Sequence, residues 1–492
     1  MNCILLYGST PMPLQKHGGV FRISSELRKN NYSTVCIDLS AFEYVNKLEQ
    51  LKEVLKNSIS SSTLWVGFST TFFDKLLGLT FKSTTNDELF VNFIQFIKNL
   101  NPKVKIISGG SRYFPLEQYG VKIFKSYSDK EIIEFTEWCL TNKSSNISFR
   151  TTLIQGSEFK DFSSSQITYT KNDLISNLDA LPIEISRGCI FKCKFCAFPL
   201  NGKTKGEWIK HGNVLLDELN YNYENFGITY YTFSDDTYND SLDKLKYLHD
   251  NVFSKLKFKI HFSSYLRIDL LMRFPESIPY LKESGLTSAM FGIESINHQS
   301  AKSIGKGLNP YDQLEFIKEL KQNEFKDVIL NSGFILGLPH DTLDTFTELE
   351  EFLFSDKNYL DSWYVNPLGI SPLSKTNKNF HSEFDINHDK YGYEITDEGW
   401  YNKNTGLSYS QCFDIAHNIT EKSNKFSKFK FGGFTYNYLR RFGIPDKELL
   451  NLSRKEIISK YNIPSLIKKE CEIYVNDMLE LSKTFNLQHK SD

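Results

Sequence analysis

The stretch Leu181-Pro-Ile-Glu-Ile-Ser-Arg-Gly-Cys189-Ile-Phe-Lys-Cys193-Lys-Phe-Cys196-Ala-Phe-Pro-Leu200 decides how this chain is read. Glu184 and Ile185 close a short β-prone run, and Arg187 and Gly188 turn the chain into a loop bearing three cysteines. Spaced C-x3-C-x2-C, these thiols are too close together for independent structural jobs. Three thiolates on one tight loop can hold three corners of a cubane iron–sulfur cluster. One iron then lacks a protein ligand and is open to a substrate or cofactor, as in catalytic metal sites. Two plainer readings stand beside this one: a zinc knuckle with distant His211 as fourth ligand, or three buried free cysteines. Zinc sites usually pair C-x2-C with a second pair farther on, and the sequence has no second pair.

From that loop to about residue 373, strands and helices alternate. Strands are expected over 229–233, 257–263, 288–295, 328–337 and 363–365, with the polar ends Ser234, Asp235 and Asp236 after one and Arg267 after the next. Six βα units imply a partial parallel barrel with its functional groups at the strand C-termini. Residues 1–145 alternate in the same way, with strands expected at 3–7, 34–38, 64–68, 105–108 and 123–124. The helix over 88–100 is the clearest, with Phe90, Phe93, Ile94 and Ile97 on one face. This is the pattern of a doubly wound, Rossmann-like parallel sheet, which takes ligands at loops 8–19, 69–74 and 109–112. Residues 146–180 lack periodicity and read as a linker or short hairpin. The expected fold is therefore α/β: sheet domain 1–145, linker 146–180, partial (β/α)6 barrel 181–375 and a mainly helical region 376–492.

C-x3-C-x2-C after a strand, with Phe195 beside the last cysteine, resembles the signature loop of radical S-adenosylmethionine (SAM) enzymes. The resemblance implies a [4Fe–4S] cluster on Cys189, Cys193 and Cys196, whose open iron chelates the amino and carboxylate groups of SAM. It also implies a one-electron donor such as flavodoxin or ferredoxin, and release of a 5′-deoxyadenosyl radical. Carried over residue by residue, Ser234, Asp235 and Asp236 take the SAM amino group. Arg267 takes the SAM carboxylate, where a guanidinium fork suits. Glu294, in Phe-Gly-Ile-Glu-Ser and followed by Lys302 and Ile304-Gly-Lys-Gly307, takes the ribose. The strand through Gly333 and Gly337 lies by the adenine. Each has a plainer reading: a solvated turn or helix N-cap for the aspartates, an ion pair with Asp269 for Arg267, and a buried strand and turn for 333–339.

The Ser-Gly-Gly-Ser-Arg turn at 108–112 and its surroundings resemble the cobalamin-binding-type domain carried by many radical SAM proteins. No D-x-H-x-x-G motif is present, and His17 reads as an ordinary loop histidine. Bound cobalamin and a domain that keeps only the fold both stay open. With cobalamin the implied reaction is C-methyl transfer; without it, rearrangement, oxidation or cross-linking. A methylthiotransferase is disfavoured because Cys3, Cys36 and Cys139 form no second cluster motif. A non-catalytic iron–sulfur or zinc module is the alternative from another class.

The rest of the composition sets bounds. A chain of 492 residues implies two to four domains. Hydrophobic content of 40% and net charge −1 describe an ordinary globular protein without a nucleic-acid footprint. No signal peptide and no membrane-spanning run are expected, and the unpaired spacing of the other five cysteines points to a reducing cytoplasm. The substrate, a small molecule or a peptide, is not readable.

Overall fold

In the computed structural model, residues 1–80, 87–110, 114, 116–125, 127–142, 147–156, 162–198, 200–371 and 381–485 are described. Apolar runs between polar turns build two six-stranded, wholly parallel sheets. The first contains β1 (Cys3–Tyr7), β2 (Thr34–Asp38) and β3 (Trp65–Ser69). After a minimal hairpin of β4 (Lys75–Leu76) and β5 (Leu79–Thr80) come β6 (Lys105–Gly109), β7 (Lys122–Lys125) and β8 (Leu153–Gln155). Strand order is β2-β1-β3-β6-β7-β8. Every residue of β1 and β2 is buried, as strands covered on both faces must be. Alternate residues divide between two cores: Cys3, Leu5 and Tyr7 join helix Gly18–Lys29, whereas Ile4 and Leu6 join helices Leu48–Ser58 and Glu88–Leu100. The chain leaves β1 to one side for β2 and returns to the other side for β3. The topological switch point therefore lies between the loops that follow β1 and β3. One expectation is corrected here: Leu153–Gln155, in the stretch read as linker, is the sixth strand, too short to show periodicity.

The second sheet runs in sequence order through β9 (Ala180–Ile183), β10 (Tyr230–Phe233), β11 (His261–Leu266), β12 (Leu286–Glu294), β13 (Ile329–Leu336) and β14 (Ser362–Pro367). In β12, Ala289, Phe291 and Ile293 are fully buried against helices, while Met290, Gly292 and Glu294 point the other way and are only partly covered. That alternation defines the lumen of an open barrel. Helix Gly433–Arg440 closes its lower half. Asn437 Nδ2 donates to Thr232 Oγ1 (3.1 Å) and Ser263 Oγ (2.9 Å). A Cβ on Gly433 would lie 2.2 Å from Ser288 Oγ, so only glycine allows this approach.

The C-terminal stretch, read as a mainly helical region, is distributed over both sheets. A hairpin of β15 (Tyr393–Thr396) and β16 (Gly399–Asn402) covers the end of β13, where Tyr393 Oη donates to Gly337 O (2.7 Å). Helix Tyr409–Lys425 packs on β14. Helix Ile463–Phe485 returns to the first domain, lies along Leu48–Ser58, and its Tyr474 Oη accepts from Asp38 N (2.8 Å). Among the described residues, no helix is long and apolar enough to cross a membrane.

Candidate active site

The cysteine loop leaves the C-terminal end of β9 and folds back on itself. Gly188 has φ +75°, and a Cβ there would lie 2.5 Å from Leu200 Cβ, so glycine lets the two limbs meet. Cys189 N then donates to Leu200 O (3.3 Å) and Gly202 N to Cys189 O (2.7 Å). The far side is pinned by Lys194 N to Ile304 O (3.1 Å) and Glu383 N to Lys194 O (2.9 Å). Cys189 Sγ contacts Thr237 Oγ1 (3.2 Å) and accepts from Phe191 N (3.4 Å). Burial pushes the Cys189 and Cys196 thiols up, as befits thiols that only a bound cation would hold deprotonated. A mononuclear zinc site would need a fourth ligand beside the three thiols. A cubane differs in taking each thiolate on a different iron, and three thiols spread over one loop fit that donor set. His211 is exposed at the start of helix Gly212–Phe226, its amide donating to Ser163 O (2.8 Å).

Facing this loop, the strand ends deliver Ser234, Asp236, Arg267 and Glu294. Ser234 is exposed at the tip of β10. Asp236 is pushed up to about 7, by burial first and then by Asp235 and Glu184. Arg267 donates from Nη1 to Cys193 Sγ (3.5 Å), lies over the Phe191 ring (3.8 Å) and donates from Nε to Asp269 (2.8 Å). The expected ion pair and the contact with the cluster loop are thus both formed. Glu294 follows a register shift between Gly292 and Glu294 in the pairing of β12 with β13, and holds φ +71°, a conformation uncommon for L-residues. Burial raises its carboxyl; Lys306, with Nζ at 3.8 Å, and Arg267 oppose the rise. Gly333 leaves room beside Glu294 Oε2, which a Cβ would meet at 3.7 Å.

Two expectations are corrected. Asp235 is fully buried on the opposite face, its oxygens accepting from Ile185 N (3.1 Å), Ser186 N (2.6 Å) and Ser186 Oγ. It anchors the root of the cysteine loop and, fully buried, is not offered to the lumen. Gly337 lies beneath Trp400, whose Cη2 a Cβ would meet at 2.3 Å, so it serves the packing of the C-terminal hairpin. The sequence reading also missed Phe191, which carries the Arg267 guanidinium, and the lumen tyrosines Tyr265 and Tyr364. Their place on the same face of β11 and β14 as Arg267 and Ser362 was the available signal.

The C-terminal edges of the two sheets meet at this site. Tyr127, Ser128 and Asp129, just past β7, approach Arg187 at the root of the cysteine loop, with Asp129 Oδ2 3.1 Å from Nη1 and the Tyr127 ring centroid 4.1 Å from the guanidinium carbon. Beside them, the loops after β1, β3 and β6 rim the switch point. Gly110 (φ +129°) lies so close to Thr70 and Thr71 that a Cβ would meet both at 2.8 Å. Ser111 and Arg112 lie outside the described residues. His17 is buried, with Phe72 at 4.5 Å and Tyr7 at 5.2 Å between ring centroids, and burial followed by Lys16 pushes it down to about 3. At this rim the exposed group is therefore the Phe72 ring, with the His17 imidazole buried behind it.

Residues 183–353 match the family model described as the Radical SAM superfamily. The barrel region is thus similar to the radical SAM superfamily, and it follows a doubly wound parallel-sheet domain. Over 171 residues the chain is 31% identical to an uncharacterized methyltransferase, PH0819, of Pyrococcus horikoshii, covering 33% of this chain and 35% of that one. Over 278 residues it is 24% identical to the ribosomal protein uS12 methylthiotransferase RimO of Hydrogenobaculum sp., covering 54% and 62%. The chain thus spans between about a third and three fifths of the length of these curated relatives. Among solved structures it is similar in fold to the radical S-adenosylmethionine methyltransferase TsrM from Kitasatospora setae, which has cobalamin and a [4Fe-4S] cluster bound. The TM-score is 0.57 and the identity 13%, over 84% of this chain and 81% of that one.

Proposed function

We propose that this chain is a cytoplasmic radical SAM enzyme that transfers a methyl group to carbon with the help of cobalamin. The observation that carries the reading is the convergence of the three-cysteine loop, Asp236, Arg267 and the strained Glu294 on one open lumen. When bound, the cluster would pass one electron to SAM, splitting its sulfonium bond into methionine and a 5′-deoxyadenosyl radical. Cobalamin, when bound at the switch point, would supply the methyl group. The chain's own residues bind and orient. Cys189, Cys193 and Cys196 hold the cluster, Ser234 and Asp236 accept from the SAM ammonium, and Arg267 pairs with the SAM carboxylate. Glu294, braced by Lys306, accepts from the ribose hydroxyls, and Gly333 leaves space for the adenine. The domain bounds 1–145, 181–375 and 376–492, a flavodoxin or ferredoxin as donor, and a small-molecule or peptide substrate belong to the same proposal.

Cobalamin-dependent transfer is preferred over a cobalamin-free radical reaction because the C-terminal edge of the first sheet, through Tyr127 and Asp129, reaches Arg187 at the root of the cysteine loop. RimO-type chemistry is not favoured: Cys3 and Cys36 are buried and inert, their thiols pushed up by burial. The test is anaerobic reconstitution, with iron and sulfide analysis and assay of 5′-deoxyadenosine. Wild type should bind about four irons per chain and cleave SAM, while Cys193→Ala should lose the brown absorbance and all cleavage yet keep its circular dichroism. Normal iron content in the variant would sink the reading.

A further inference from the structure

Two residues before Cys189, a cluster of four charges, three of them buried and the fourth, Glu184, 22% exposed, joins the two sheet domains. Arg187 grips Glu184 with both arms, Nε to Oε1 at 2.7 Å and Nη2 to Oε2 at 3.0 Å. Its remaining nitrogen, Nη1, donates to Asp129 Oδ2 (3.1 Å) at the first turn of helix Asp129–Thr141 in the N-terminal domain. Asp129 Oδ1 accepts from Arg22 Nε (2.7 Å) on helix Gly18–Lys29, and Arg22 Nη1 reaches back to Glu184 at 3.6 Å. The side chains of Arg187, Arg22 and Asp129 are 3%, 4% and 7% exposed, and Tyr127 and Phe162 cover the Arg187 guanidinium at 4.1 and 5.0 Å. Two guanidiniums and two carboxylates leave the cluster neutral. Burial works against both carboxyls, yet the arginines hold Asp129 and Glu184 below their ordinary values.

Such an assembly is costly to build for stability alone, because desolvation of four ions offsets most of their attraction, and buried networks are best attested where they fix geometry. Its place in the chain says which geometry. Arg187 is braced along its backbone too, its amide donating to Trp208 O (3.0 Å) and its carbonyl accepting from Lys203 Nζ (2.8 Å). The next residue is the left-handed Gly188, and the one after it is Cys189. Helix Gly18–Lys29 begins at the rim of the switch-point cleft and carries Arg22 in its second turn. A shift of that helix therefore reaches the root of the cysteine loop through two ion pairs.

We propose that Asp129 is a positioning residue for the cysteine loop: by tying Arg187 to Arg22 it makes the N-terminal domain set the pose in which the loop presents its thiolates. This rests on the radical SAM reading of the loop. The test compares Asp129→Asn, which keeps the shape but removes one of the two negative charges, with Arg187→Lys, which keeps the charge but loses the fork. Iron content, thermal unfolding, the paramagnetic resonance spectrum and midpoint potential of the reduced protein, and the SAM cleavage rate are read on the same reconstituted samples. The expected result is wild-type iron content with a changed spectrum and potential in both variants, and SAM cleavage slower by about tenfold or more in Asp129→Asn, in keeping with the cost of small misplacements. Variants that keep iron, spectrum, potential and rate overturn the proposal. So do variants in which all four are lost only in step with unfolding, since Asp129 is then a folding residue. Wild type that takes up no cluster overturns the reading on which the proposal rests, and is told apart by its iron content alone.

Discussion

At Glu294 the backbone holds φ +71° at a bulge, with a carboxylate in the lumen and Lys306 Nζ 3.8 Å away. A strained residue of this kind costs of order 1–3 kcal/mol and persists where the surroundings require it. Glu294→Gln should leave the cluster intact and weaken SAM by about 1–3 kcal/mol, the range for a charge-assisted hydrogen bond, as read by calorimetric titration. Wild-type affinity would make Glu294 structural. Asp236 offers a pH test. With its carboxyl pushed up to about 7, it is largely protonated at pH 6 and ionised at pH 8, and only the ionised form attracts the SAM ammonium. SAM should therefore bind more weakly at pH 6 than at pH 8, by up to about tenfold per pH unit below that value. Asp236→Asn should flatten the dependence, and an unflattened profile would assign the titration to another group. Glu294 was legible because a carboxylate closing an apolar strand demands a partner. Asp235 and Asp236 were not told apart, although the two-residue period of β10 puts Ser234 and Asp236 on the lumen face and Asp235 behind it.

Among the elements, those with a full period were readable and those that work by close approach were not. The helix over 88–100 and most strands of both sheets follow from apolar spacing, but the strand expected over 257–263 forms at His261–Leu266. Leu153–Gln155 is too short to carry a pattern and acquires its strand character from pairing with β7. Helix Gly433–Arg440 has an unremarkable sequence, yet it closes the lumen because Gly432 and Gly433 let its backbone reach Tyr364 and Ser288. Gly433→Leu should therefore destabilise by about 1–3 kcal/mol, the usual cost of overpacking, seen as a lower urea midpoint. The same substitution at Gly307, where a Cβ meets nothing within 4 Å, should leave the midpoint nearly unchanged. Equal effects at the two positions would mean that close approach at Gly433 does not set the cost.

On the scale of the whole molecule, the two sheets present their C-terminal edges to each other, and the C-terminal helix Ile463–Phe485 straps back onto the first domain through Tyr474 and Asp38. A sequence read in order assigns that helix to a region of its own; its partners lie more than 400 residues away and leave no local trace. What fills the cleft between the sheet edges is then the remaining question, and His17 decides it. The imidazole is 4% exposed and pushed down to about 3, and it lies behind Phe72, which is 47% exposed and packs on it at 4.5 Å. The group offered to the cleft at this point is an aromatic ring, not a nitrogen. Cobalamin bound beside loop 69–72 should accordingly receive no imidazole from the protein. The electron paramagnetic resonance spectrum of reconstituted cob(II)alamin should carry no splitting from a protein imidazole, so His17→Ala should leave it unchanged. Splitting that vanishes in His17→Ala would mean that Phe72 swings aside and the buried imidazole becomes the ligand. Failure of the wild type to retain cobalamin at micromolar protein would move the function from methyl transfer to a cobalamin-free radical reaction.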